Sequence, residues 1–302
     1  MISAILWVAA QAAGAASQAI SIPIGAADFL SMEASTRLSG TAGAFAAEEL
    51  GPMGVFTSPA STLGAGPPEL SVSFIKGLLD TTYGFVSGTT HSESGNTMTA
   101  AFSYDRTDRV RVVRPGEVPV DSAPVYDLAF VAAFAKRSNA AIAFGVDLKA
   151  FDSRLVDTES RGAAVDVDVL MTPETIHPAR LQLSARNVGY ASAHVSLDSL
   201  TGASAAAALS APIDILDGQR LTLGCLLLRP VDPTLPFDFA AGVEYALRTG
   251  VAFRAGYRTG ALLNHVTLGF GIHASALTLD YAFVPFAELG ASHRLSLSYL
   301  LR

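Results

Sequence analysis

The sequence predicts an all-β fold: a single transmembrane antiparallel β-barrel of about fourteen strands with an N-terminal plug-like segment. Three observations predict it. From Phe237 onward, apolar and polar residues alternate strand after strand. Phe239, Ala241, Val243 and Tyr245 oppose Asp238, Gly242 and Glu244, and Leu277, Leu279, Tyr281 and Phe283 oppose Thr278 and Asp280. Successive side chains on a strand point to opposite faces, so each such strand has one apolar and one polar face. Charges of both signs collect on the polar phase, where they suit a wet or plugged lumen and not lipid. Tyr83, Tyr104, Tyr126, Tyr245, Tyr257, Tyr281 and Tyr299 fall on the apolar phase, several near strand ends. An apolar ring with a polar hydroxyl collects at a membrane interface.

The elements follow in order. Residues 1–19 read as a signal peptide, with an apolar stretch from Ile5 to Val8 and small residues from Ala15 to Ala19 for cleavage. Residues 20–68 differ from the rest, being rich in Gly, Ala, Ser and Pro. Ala44 to Leu50 is expected as a short helix, broken by Gly51-Pro52. The plain alternative to a plug is a flexible linker. Residues 69–302 form the barrel. Leu70, Val72 and Phe74 share one phase; Tyr83 and Phe85 follow; then Met98 to Tyr104, Tyr126 to Phe134, Ile142 to Leu148, Val165 to Val169 and Leu181 to Ala185. An Ala-rich strand near Ala203 to Ala211 is weak, and Arg220 to Leu228 is clear. Val251 to Tyr257, Val266 to Ile272, Leu277 to Phe283 and Leu295 to Leu301 complete the series, separated by turns such as Asp217-Gly218 and Arg248-Thr249-Gly250.

The inward phase carries Asp147, Lys149, Asp166, Asp168, Arg180, Arg186, Asp238, Glu244, Arg254 and Asp280 as lumen-facing candidates. Neighbouring strands lie about 4.7–4.9 Å apart, so those from Asp147 to Arg186 are expected to meet as a mixed-sign network.

Composition narrows the function. The chain has 302 residues, 50% hydrophobic and 16% charged, with a formal net charge of −7 and no basic run, so nucleic acid is not an expected partner. Cys225 is the only cysteine and lies in phase with Leu221, Leu223 and Leu227. Gly269-Phe270-Gly271-Ile272-His273-Ala274 matches a dinucleotide string, but sits inside a strand-like alternation and not at a strand–helix turn. His265 and His273 are too far apart along a strand to share a metal unaided. His91-Ser92-Glu93 lies in a polar loop without the turn of a nucleophile elbow. No catalytic residue, metal or cofactor is expected.

Several strings resemble the PorV/PorQ group of outer-membrane proteins, which overlaps the UPF0164 family. They are Gly242 to Tyr245, Phe253 to Tyr257, Leu279 to Phe286, His293 to Leu297, Gly145 to Lys149, Ala185 to Gly189 and Arg37 to Ala46. The resemblance runs from about Ser35 to the end. It implies a barrel of the long-chain fatty-acid transporter type in the bacterial outer membrane, with an N-terminal segment in the lumen. Gly40, Gly43, Phe45, Ser58, Pro59 and Ala60 are then plug residues. Ser58-Pro59-Ala60 stands where the family has Asn-Pro-Ala, and the chain ends Leu301-Arg302 without a terminal aromatic.

Two functions follow. The first is a docking or shuttle component for exported surface proteins, as in type IX secretion. Its partners would be exported proteins or secretion machinery, met by the loops Arg106 to Ser122 and Asp152 to Ser160. The alternative is passive transport of a hydrophobic small molecule. In both, outer-membrane lipid surrounds the barrel.

Overall fold

The structure is a computed structural model. It describes residues 28–48, 50–64, 67–77, 81–107, 111–112, 120–121, 125–156, 158–173, 176, 178–192, 199–200, 202–216, 218–232, 235–260, 265–286 and 290–301. The expected signal peptide and residues 20–27 lie outside them.

Fourteen strands form one closed antiparallel barrel. They are β1 (Glu69–Lys76), β2 (Thr81–His91), β3 (Asn96–Thr107), β4 (Val125–Arg137), β5 (Ile142–Leu155), β6 (Thr158–Met171) and β7 (Arg180–Ala191). The second half is β8 (Ser204–Leu216), β9 (Gln219–Pro230), β10 (Asp238–Ala246), β11 (Val251–Thr259), β12 (His265–Ala274), β13 (Leu277–Pro285) and β14 (Ala291–Leu300). Each pairs with its sequence neighbours, and β14 closes on β1 with Leu70 opposite Tyr299. Closure satisfies the backbone of every strand without an open edge, the condition for crossing lipid with strands. Among the described residues no helix is long and apolar enough to cross a membrane.

Burial runs opposite to that of a soluble barrel. Phe130, Met98 and Leu148 are 63%, 62% and 57% exposed, whereas Asp147 and Lys149 on the opposite phase are 2% and 1% exposed. A soluble protein would expose the second set and bury the first. An outer surface this apolar, on every strand, belongs in hydrocarbon.

Loop length orients the barrel. The connections 108–124 and 192–203 lie at one end; 92–95, 138–141, 217–218, 247–250 and 275–276 lie at the other, with both ends of the barrel chain. Long loops face outward from the cell and short turns face the periplasm. At the short-turn end, Gly218 and Gly250 take φ of 74° and 85°, which glycine adopts without strain.

Four local expectations need correction. Tyr83 and Phe85 do not face lipid: Phe85 is 4% exposed and packs inside against Phe56, with ring centroids 5.1 Å apart, while Val86 faces out. The inner contact with the N-terminal segment overrides the simpler phase reading. Ala44 to Leu50 is not a helix. The helix, α1, is Thr36–Gly40, and the chain then turns through Ala42 and Gly43 at φ 56° and 90°. Ala44, Phe45, Ala46 and Ala47 are all at most 1% exposed, so this stretch is buried on every side and has no amphipathic helical face. Asp152 to Ser160 is not an open loop. Ser153 pairs with Ser160 and Arg154 with Glu159, so the β5–β6 ladder runs on to a tight turn. The weak Ala-rich strand is the full-length β8.

Candidate functional site

The lumen is filled by the N-terminal segment. Between Asp28 and Thr62 it makes α1 and three short 3-10 turns, at Asp28–Ser31, Gly51–Phe56 and Pro59–Thr62. None of it joins the barrel ladder. The helix starts at Ser35, whose Oγ accepts from Leu38 N at 3.3 Å. That cap satisfies one of the amides a helix start leaves bare.

Three apolar clusters seat the segment against the wall. Phe29 and Leu30 meet Phe151, Ala164 and Ala191. Ala34, Met53, Val55 and Phe56 meet Ile75, Phe85 and Val131. Leu38, Phe45, Ala60 and Leu63 meet Leu170, Ala206 and Leu226. Wall glycines let the backbones approach. A Cβ on Gly242 would stand 2.8 Å from Thr41 O, and one on Gly269 would stand 3.1 Å from Gly40 Cα. Gly269 therefore serves a backbone contact, not a nucleotide turn.

Charged groups tie segment and wall together. Arg37 gives two hydrogen bonds to Glu244, at 2.9 and 2.7 Å, from Nε and Nη2. Arg254 joins the same carboxylate at 2.5 Å and reaches Asp280 at 2.6 Å. Burial opposes the charge on Arg37, but Glu244 outweighs it, so this guanidinium is held above its ordinary value. A second set lies towards the long-loop end. Arg258 pairs with Asp238 at 2.5 Å and with Glu33 at 2.6 Å, and Arg294 donates to Ser39 Oγ at 2.6 Å. Glu48 accepts from Ser210 Oγ at 2.6 Å and pairs with Arg180 at 3.3 Å. Asp168 accepts from Ser58 Oγ and from Ala60 N, the latter at 3.0 Å.

All ten lumen-facing candidates stand on the inner side of the wall. Asp147, Lys149, Asp166 and Asp168 are at most 3% exposed. Lys149 Nζ donates to Asp166 at 2.7 Å and to Asn187 Oδ1 at 2.8 Å; Asp147 accepts from Asp166 N at 3.0 Å. Asn187, at φ 53°, is the extra residue of a bulge where the β6–β7 register shifts at Asp166. Its Nδ2 reaches Ser31 of the segment at 3.2 Å. Arg180 departs from the expected pairing, whereas Arg186 lies in the field of Asp166 and Asp168. Arg180 turns to Glu48, and Arg186 Nε donates to Ser184 Oγ at 3.0 Å. Of the plug candidates, Gly40 and Gly43 sit at the α1 turn, Phe45 is 0% exposed, and Ser58-Pro59-Ala60 seats on Asp168.

The sequence reading missed Glu33, Arg37 and Glu48, the charged groups on the segment itself, and the inward apolar residues Ile75, Phe151, Leu170 and Leu226. A signal existed. Phe74-Ile75, Ala150-Phe151, Val169-Leu170 and Leu226-Leu227 each place two apolar residues in succession, and one of each pair meets the segment. Of the false leads, His91 Nδ1 lies 2.9 Å from Thr97 Oγ1 and Ser92 Oγ lies 2.8 Å from Ser94 Oγ, so neither addresses the other. His273 Nδ1 lies 2.8 Å from Thr278 Oγ1, and the His265 side chain is outside the described atoms. Most of the 106–122 loop is likewise outside them.

A pocket of about 220 Å³ remains between the segment and β11–β14, lined by the apolar Met32, Val284 and Phe286 and by the charged Glu33, Arg258 and Arg294.

No family model matches the chain, and no curated protein matches it. Solved structures do. The toluene transporter TbuX of Ralstonia pickettii is similar over 90% of this chain and 98% of its own, with 12% identity and a TM-score of 0.58. The toluene transporter TodX of Pseudomonas putida is similar over 87% and 96%, with 10% identity and a TM-score of 0.61. A Pseudomonas aeruginosa FadL homologue is similar over 88% and 98%, with 11% identity and a TM-score of 0.54. The chain therefore has the fold of these FadL-type barrels of the bacterial outer membrane.

Proposed function

We propose that this protein conducts small hydrophobic molecules passively across the outer membrane, with the lumenal segment as its gate. The observation that carries the reading is the shape of the barrel. It is shared, over about nine-tenths of the chain, with two proteins described as toluene transporters. The lumen is consistent with gating. The segment is held by side chains and joins no ladder, so shifting it leaves the barrel closed and its backbone satisfied. The 220 Å³ pocket beside it exceeds the roughly 150 Å³ that suffices for benzene.

The test is accumulation of radiolabelled toluene by cells expressing the chain, compared with cells carrying an empty vector. Faster, energy-independent uptake that ceases on substituting Met32 and Val284 together by Trp supports the reading. Uptake equal to the empty vector overturns it. Recovery of exported proteins from detergent-solubilised membranes, with no gain in uptake, would favour the docking role instead.

A further inference from the structure

The outer face of the barrel carries a groove of about 700 Å³ across β5–β9, on the side away from the lumen. Its origin is the alanine run of β8. Ala205 and Ala207 point outward between larger residues, with Ala207 opposite Leu183 on β7 and Leu227 on β9. Ala205 lies opposite Ala185 and Arg229. Three small side chains in adjoining rows thus make a floor, while Leu183, Leu227 and Phe144, each close to half exposed, make the sides. Five strands at about 4.8 Å spacing give the groove a length of about 19 Å. It runs obliquely, from the short-turn end of β5 to the long-loop end of β9.

Arg229 closes the long-loop end. Its guanidinium lies over the Phe237 ring at 4.6 Å, and Nη1 donates to Leu235 O at 3.0 Å. A guanidinium has five N–H donors in a planar fork that matches phosphate. These two contacts fix its plane at the outer interface and leave donors to spare. A cation thus stands at the mouth of an apolar trough. This combination matches an amphiphile with an anionic head and a hydrocarbon tail.

We propose that the groove binds one phosphate-bearing lipid of the outer leaflet, its acyl chain along Ala185, Ala205 and Ala207 and its phosphate on Arg229. The tail replaces contacts that the alanines leave unfilled, and the charge-assisted bond fixes the register of the head. This site lies outside the lumen and does not depend on the transport reading.

The test uses the full barrel, delipidated in detergent and titrated with dimyristoyl phosphatidylglycerol under native mass spectrometry. One lipid bound per barrel is expected. Ala207→Leu fills the floor and Arg229→Gln removes the head contact; each should weaken binding about tenfold, while Arg229→Lys keeps part of it. All three should insert and migrate as folded barrels in a heat-modifiability gel, with toluene uptake unchanged. No stoichiometric lipid, loss with Ala207→Leu but none with Arg229→Gln, or a barrel dimer in place of a bound lipid would each overturn the proposal.

Discussion

Glu244 shows what a single residue does in this lumen. It lies on β10 and accepts from Arg37 on the segment and Arg254 on the wall, while Arg254 also holds Asp280. One carboxylate therefore joins the segment to a charged row on the barrel. Removing one partner of a buried pair is costly because the other charge stays behind without compensation. Glu244→Ala should lower barrel stability by about 3 kcal/mol, the low end of that range, because Arg37 keeps some contact with water. Urea unfolding of the protein in lipid vesicles measures it. Asp214→Ala is the contrast. Its pair with Arg220 is mostly exposed, at 74% and 57%, and should contribute less than about 1 kcal/mol. Equal losses for both would mean that the Glu244 contact is as solvated as a surface pair. The same network makes Asp280→Asn a disturbing substitution although it faces away from lipid, since the residue accepts from Arg254 at 2.6 Å.

At the scale of the strand, the outward face sets the cost of a charge. Leu148 lies mid-strand on β5 and is 57% exposed to what would be hydrocarbon. Leu148→Lys should destabilise by about 2–4 kcal/mol, and Leu148→Ile hardly at all. Unfolding from vesicles with acyl chains of different length checks this, because the penalty should grow as residue 148 lies deeper. A penalty independent of bilayer thickness would count against the face assignment. This face was legible in the sequence because lipid imposes a strict period of two: Val146, Leu148, Asp147 and Lys149 could be sorted by parity alone. The inner face was legible only in part. Lumen positions answer to the segment, whose contacts carry no period. So Phe85 looked like a lipid-facing aromatic, and Arg180 like a partner for aspartates of its own wall although it pairs with Glu48 on the segment. Glu33, Arg37 and Glu48 were invisible as site residues because nothing local marks a charge as paired with a strand about 130 to 260 residues away.

For the whole molecule, the separation between a closed ladder and an unladdered segment makes a testable prediction. Deleting residues 26–67 leaves all fourteen strands and their closure in place, so the barrel should still insert. It should melt lower, because Ile75, Phe85, Leu170 and Leu226 lose the apolar surface packed on them. The lumen should open, and single-channel conductance in a planar bilayer should rise. The sign of its selectivity follows from charge. The deleted stretch carries Asp28, Glu33, Glu48 and Glu49 against a single Arg37, so the wall left behind is more positive than the intact protein. Pairs internal to the wall, Lys149 with Asp166 and Arg254 with Asp280, persist and neutralise each other. Arg294 loses the glutamate that faced it, and Arg180 loses its pair with Glu48. Reversal potentials in a salt gradient should therefore shift towards anions on deletion, and more strongly at low ionic strength, where screening is weaker. An unchanged conductance would mean that these residues do not obstruct the lumen. A shift towards cations would mean that the charges they leave behind are not the ones the ions meet.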